Sequence, residues 1–400
     1  MIERIEIGDL AFGGDGVGRL NDGKVVFVYG SVPGDVAEIE IVGGKKSHAF
    51  GRIKRLIEPS EHRVEPGCPV AGVCGGCSWR HVDYSFQTNW KETFLRRELG
   101  RVIKNLDDDA VKPIVPSQPS GFRVRARLHY RGDRFGTMAA NSHQVVSFER
   151  CPILDGPLEA FARQLGEKLE DLRPADTDFE LYVDAEDRRG LQEIPLSRNS
   201  AGQKEIEGDL TAALNCVHVL AEETGDEKIS FEPGVFVQTN RQINQQLVQT
   251  VCRLSGEGET FAEIYSGCGN FTVHLVKRFY QGVASEKSRA AIKHLAKNLS
   301  GRRVEIRAES DAASARFLSK HPPVDCLVVD PPRAGIKPLY TLFENSPPRR
   351  LVMVSCHPMA AIRDIGRLVE RFGYRLIEIT PLDMFPHTSH FEVAALLVRN

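Results

Sequence analysis

The first sixty residues alternate apolar and polar positions in short runs, such as Lys24 to Tyr29 and Val36 to Ile41, interrupted by Gly and Pro. A period of two predicts strands buried on one face. The turns fall at Gly13-Gly14-Asp15-Gly16, Asn21-Asp22-Gly23 and Val32-Pro33-Gly34-Asp35, where a positive or fixed φ is needed. Residues 1–60 therefore read as a small β-barrel. A Cys- and Gly-rich loop spans 61–82, after which apolar positions take helical spacing. Phe86, Trp90, Phe94 and Leu95 share one face of an amphipathic helix expected from Tyr84 to Lys104, packing on another domain. Between about 113 and 232 the pattern mixes strands, including Phe122 to Tyr130, with a helix near Leu158 to Leu172. From 233 onward, apolar runs alternate with helical segments: Thr260 to Tyr265, Gly282 to Ser285, Val304 to Arg307, Cys326 to Val329, Leu351 to Val354 and Glu392 to Val398. That alternation predicts a mostly parallel, doubly wound sheet. The expected class is α/β, with a barrel at 1–60, a small α+β domain at 61–232 and a doubly wound domain at 233–400.

No segment approaches eighteen consecutive apolar residues, and the start MIERIEIGDL lacks the basic-then-apolar order of a secretion signal. A cytoplasmic monomer without membrane association is the expectation. A net charge of −2 does not mark a nucleic-acid binder, so affinity for phosphate must come from local patches. Two stripes qualify. Arg123, Arg125, Arg127, Arg131 and Arg134 alternate along one strand and its turn, and Lys45, Lys46, Arg52, Lys54 and Arg55 lie on the barrel with Phe50 beside them. A solvated charged face is the alternative for each.

Candidate chemistry sits where predicted strands end, since such sheets bind ligands at the carboxyl ends of their strands. Tyr265-Ser266-Gly267-Cys268-Gly269-Asn270-Phe271 is a strand-to-helix turn whose glycines let a ligand approach the backbone. Glu286 ends the next strand, where an acid can accept from both ribose hydroxyls of an adenosine; a solvated acid before a helix is the alternative. Asp311 falls where a third loop can meet adenine. The absence of a third glycine argues for S-adenosylmethionine over a pyrophosphate cofactor. Asp330-Pro331-Pro332-Arg333 places an acid in a stiff loop beside this crevice. Ser355-Cys356-His357-Pro358 ends the next predicted strand in a cysteine, a candidate nucleophile. Glu392 heads the last apolar run, which is costly unless the carboxylate is used, and burial there would raise its pKa toward that of a general base. His387 and His390 are expected only to satisfy local backbone groups.

Taken with Phe385-Pro386-His387-Thr388, these motifs resemble the RNA 5-methyluridine methyltransferase family along nearly the whole chain. Residues 1–60 resemble its RNA-binding TRAM barrel through Gly14 to Arg19 and Val26 to Asp35. The resemblance implies a Rossmann-like class I methyltransferase fold. It also implies S-adenosylmethionine held by Gln238, Tyr265, Asn270, Glu286, Asp311 and Asp330, with Cys356 as nucleophile and Glu392 as base. Glu263, Ser266 and His357 depart from the common pattern. The chemistry is consistent: uracil C5 is too weak a nucleophile to take a sulfonium methyl until a thiolate adds at C6. The target base would have to leave its stack to reach such a pocket.

Nine cysteines in a reducing compartment speak for metal or catalysis rather than disulfides. Cys68, Cys74 and Cys77, with Cys151, offer four thiolates suited to zinc or an iron-sulfur cluster. Resemblance to the cluster-bearing branch of the family implies [4Fe-4S], and ribosomal 23S RNA as the partner ahead of tRNA. A 5-methylcytidine enzyme would carry a second motif cysteine, which Asp330-Pro331-Pro332-Arg333 lacks, and a non-catalytic RNA-binding protein would not need both Cys356 and Glu392.

Overall fold

Alternation in the N-terminal region closes a barrel of β1 (Ile2–Leu10), β2 (Gly16–Arg19), β3 (Val25–Tyr29), β4 (Val36–Gly44) and β5 (His48–Glu58), in the order β1-β2-β3-β5-β4. Its inward residues, among them Ile5, Ile7, Val26, Val28 and Ile39, form a core of their own. The computed structural model describes residues 2–196 and 207–399. Buried Asp35 ties the barrel to the start of the cysteine loop, accepting from Val32 N–H at 2.7 Å and Ser60 N–H at 2.9 Å and pairing with Arg63.

After the cysteine loop comes α1 (Tyr84–Val102), capped by the Asp83 carboxylate, which accepts from Phe86 N–H at 3.1 Å. It stops two residues before the predicted end, where Ile103 is extended. Trp90, Phe94, Leu95 and Leu99 from its apolar face join the core on one side of the C-terminal sheet.

The central sheet has the order β10-β9-β6-β7-β8, built from β6 (Arg125–Arg131), β7 (Arg134–Met138), β8 (Val145–Val146), β9 (Thr177–Val183) and β10 (Arg189–Pro195). Helix α2 (Gly156–Leu172) covers it with Leu158, Phe161, Leu165 and Leu169. A short α3 (Glu207–Ala213) and a hairpin of β11 (Leu220–Thr224) and β12 (Glu227–Phe231) complete this region. The hairpin has no counterpart in the sequence expectation.

The C-terminal sheet has seven strands in the order β15-β14-β13-β16-β17-β19-β18. They are β13 (Gly258–Ile264), β14 (Phe279–Glu286), β15 (Val304–Ala308), β16 (Cys326–Val329), β17 (Arg350–Ser355), β18 (Arg375–Leu382) and β19 (Glu392–Val398). Five run parallel and β19 runs against them. Strand β18 is not signalled by the sequence pattern, because its outer half alternates exposed and half-buried residues at a sheet edge. Helices α4 (Arg241–Ser255) and α5 (Thr272–Leu275) feed the core on one face, while α7 (Asp311–Leu318), α8 (Tyr340–Asn345) and α9 (Pro358–Phe372) join α1 on the other; α6 (Arg289–Asn298) packs on β12 and β15.

Gly282 shows how tightly β14 is held, because a Cβ added there would meet the ring of buried Phe261 at 2.0 Å. Overpacking of this kind costs about 1–3 kcal/mol. Gly282→Ala should therefore lower the thermal unfolding midpoint, and an unchanged midpoint would contradict this packing.

Candidate active site

Parallel strands deliver their last residues to a common edge, and here the register is explicit. Ile264 pairs with Val329 and Val329 with Met353, so Tyr265 and Asp330 leave the sheet side by side. Ser355 pairs with Val393 on the antiparallel β19, and one further step sets Cys356 opposite Glu392. Antiparallel β19 thus brings its first residue to the edge where β13, β16 and β17 bring their ends.

Tyr265 takes φ +70°, a left-handed conformation unusual for a tyrosine. The turn swings its hydroxyl onto Asp311, to which it donates at 2.8 Å. Gly267 N–H donates to Glu286 Oε2 at 3.1 Å, while Oε1 accepts from Lys287 and Ser288 N–H. Gln238, Tyr265, Asn270 and Asp330 line one cavity, and Glu286 and Asp311 flank it through these bonds. The six residues expected at the cofactor site are thus brought together, although Asn270 spends its side-chain amide on a reciprocal pair with Asn244, at 2.9 and 3.0 Å. Asn244 escapes a sequence reading because it lies in the first turn of α4, outside any motif. Glu263 is buried in the wall of the cavity, accepts from Thr272 Oγ1 at 2.6 Å, and is pushed up to about 8 by burial, with Asp330 and Glu286 adding to the effect.

Three groups that become negative on ionisation crowd the other half of the site. Burial pushes the Cys356 thiol up to about 11, and Glu392 and Asp330 reinforce the shift while Arg333 opposes it. Burial also raises Asp330 and lifts Glu392 well above the ordinary carboxylate range, with Asp330 contributing to the latter. Glu392 Oε2 is buried without a hydrogen-bond partner. A buried carboxyl oxygen without a partner is costly. His357 caps α9, its Nδ1 accepting from Ala360 N–H at 3.1 Å, and its ring stands edge-on to Phe12 from the barrel, centroids 5.2 Å apart. His390 meets the same phenylalanine at 5.6 Å, and its buried Nδ1 lacks a partner, contrary to the expectation of a local backbone bond.

Cys68, Cys74, Cys77 and Cys151 line a second cavity of about 530 Å³ together with Arg80 and Arg123. Gly76 N–H donates to Cys74 Sγ at 3.3 Å, as the Gly75-Gly76 wrap allows. Burial, with Cys151 and Cys74 nearby, pushes the Cys77 thiol up to about 12. Among the described residues, however, no three His, Cys, Asp or Glu side chains are grouped so as to hold a metal ion.

The arginine stripe requires correction. Arg127 and Arg131 pair with Asp178, as does His129, and Arg125 pairs with Glu180. These acids stand on β9, the neighbouring strand, so Arg125, Arg127 and Arg131 are spent on ion pairs across the sheet, with Arg127 still half exposed; Asp178 is held down to about 2 by its hydrogen-bond donors despite burial. On the barrel, Glu40 takes Arg52 and Lys54 and Glu38 takes Arg55. Lys45 and Lys46 stay exposed near Phe50, which forms a ring cluster with Phe27 and His48.

The TRAM domain profile matches residues 2–54, and that of tRNA (Uracil-5-)-methyltransferase matches 215–308 and 318–400. The 23S rRNA (uracil(1939)-C(5))-methyltransferase RlmD of Edwardsiella ictaluri is 32% identical, over 97% of this chain and 94% of its own length. An uncharacterized RNA methyltransferase of Gloeobacter violaceus is 29% identical over 99% of the chain and 96% of its own. The tRNA (uracil-54, C5)-methyltransferase of Pyrococcus abyssi, solved with S-adenosyl-L-homocysteine, shares the fold at a TM-score of 0.75 and 24% identity, covering 99% of this chain and 100% of that one. With similarity to RlmD along almost its entire length, the chain belongs to the family of S-adenosylmethionine-dependent RNA uracil-C5 methyltransferases.

Proposed function

We propose that this protein is a cytoplasmic monomer that methylates C5 of a uridine in 23S ribosomal RNA. Cys356 is the nucleophile and Glu392 the base. Gln238, Tyr265, Asn270, Glu286, Asp311 and Asp330 hold S-adenosylmethionine, which supplies an electrophilic methyl on sulfonium. The observation that carries this reading is the register setting Cys356 against Glu392 at the sheet edge, beside Asp330. The Cys356 thiolate adds to uracil C6, which gives C5 enolate character; C5 takes the methyl as the S–CH3 bond of the sulfonium breaks and the donor leaves as a neutral thioether; Glu392 removes the C5 proton, C5=C6 re-forms and the thiolate leaves. Negative charge on Glu392 opposes ionisation of the Cys356 thiol, and bonding of sulfur to uracil C6 removes that opposition. The name of the E. ictaluri relative supports 23S RNA over tRNA. Incubation with labelled S-adenosylmethionine and either 23S RNA or tRNA lacking the modification, then digestion to nucleosides, should yield 5-methyluridine from 23S RNA and none with Cys356→Ala. 5-Methylcytidine, or product from tRNA alone, would contradict the reading.

We also propose that Cys68, Cys74, Cys77 and Cys151 ligate a [4Fe-4S] cluster. A cuboidal cluster takes its four thiolates at separate irons, so they need not converge as they must around one zinc ion. Cys77 and Cys151, whose thiols are raised by burial and by neighbouring thiolates, are poor free groups, and cluster iron is what would stabilise them as thiolates. Such a cluster would organise the loop or face the RNA, and no step of methyl transfer is assigned to it. Protein purified without oxygen should be brown and Cys77→Ala colourless; a colourless wild-type protein containing zinc would overturn the assignment.

A further inference from the structure

The loop joining β18 to β19 is gripped by α1, and the mechanism makes no use of that grip. Lys91 and Asp383 have wholly buried side chains, with Nζ 2.6 Å from Oδ1. Tyr84 Oη donates to the other carboxyl oxygen at 2.7 Å, and Lys91 also reaches Phe385 O at 3.3 Å. Further along, His387 sits at φ +63°, a left-handed conformation uncommon outside glycine, and its surroundings hold it there. They do so at every polar group: its N–H donates to Gln87 Oε1 at 2.9 Å, its carbonyl accepts from Trp79 N–H at 2.9 Å, and ring Nε2 is 2.7 Å from Pro119 O. Gln87 is itself fully buried and anchored by donating to Trp79 O at 3.0 Å and Val82 O at 2.8 Å.

Desolvating two charges offsets most of what their pairing returns, so a buried ion pair is weak evidence for stability and better evidence for a fixed geometry. Here the fixed element is the loop that ends at Glu392, whose free oxygen must meet a single proton.

We propose that Gln87, Lys91 and His387 are positioning residues that hold the 383–391 loop so that Glu392 stays within reach of the C5 proton. The inference rests on Glu392 being the base. Loosening the loop leaves sulfur attack and methyl transfer largely intact but delays proton removal, so the S–C6 bond of the methylated intermediate persists.

The test uses the full-length protein, S-adenosylmethionine and total RNA from cells lacking 5-methyluridine. Gln87→Leu and the paired change Lys91→Met with Asp383→Leu are compared with Glu392→Gln, reading kcat, KM for S-adenosylmethionine, and covalent protein–RNA adduct on denaturing gels. A misplacement of about 1 Å costs on the order of a hundredfold in rate, so kcat should fall about 10- to 100-fold with KM within about twofold, and adduct should accumulate as in Glu392→Gln. A lower kcat without adduct, or an unchanged kcat, overturns the positioning role while leaving Glu392 as the base. Absence of adduct in Glu392→Gln itself overturns the base assignment instead. The paired variant leaves no uncompensated buried charge, so it carries the test if Gln87→Leu does not fold.

Discussion

Asp330, Cys356 and Glu392 are buried close enough together that each discourages ionisation of another. This mutual restraint is the constraint around which the rest of the structure is arranged. Burial and this crowding bias the Cys356 thiol and Glu392 toward their protonated forms. In the proposed mechanism a substrate that bonds to the thiolate removes its charge and so relieves the restraint.

The sheet makes the crowding unavoidable. Parallel β13, β16 and β17 end at one edge, and only a strand running the other way can bring its beginning there, as β19 does with Glu392. The remaining parts of the chain close around this edge. The barrel sends Phe12 against His357 and His390, while Trp79 and Arg80, near the end of the cysteine loop, reach His387. Trp79 also donates to Gly14 O at 2.8 Å and stands edge-on against Trp90, so barrel, cysteine loop and α1 meet in one joint behind the catalytic edge.

The strand-end chemistry was legible because a doubly wound sheet turns linear order into position: a strand pattern leading into Asp330, Cys356 or the Tyr265 turn already says where those residues lie. Glu392 was legible because an acid heading an apolar run is anomalous. Contacts between distant segments left no such trace. The arginine stripe read as a phosphate track because its neutralising acids, Asp178 and Glu180, lie some fifty residues later on another strand. The Asn244–Asn270 pair and the grip of Gln87 on His387 were likewise invisible, each joining a residue in the first turn of a helix to a remote loop. Strand β18 was illegible for a different reason, since an edge strand with a half-exposed outer end lacks a continuous apolar signal.

The central claim is that one sulfur bonds to a pyrimidine ring. RNA carrying 5-fluorouridine in place of uridine tests it most directly, because fluorine at C5 leaves no proton for the base to take and the adduct cannot release. The account predicts a single S-adenosylmethionine-dependent adduct, mapped by peptide mass to Cys356. Because the free thiol is raised to about 11, the thiolate fraction grows with pH, and the adduct should form faster as pH increases from about 6 to 9. No adduct, or one on another residue, would contradict the account.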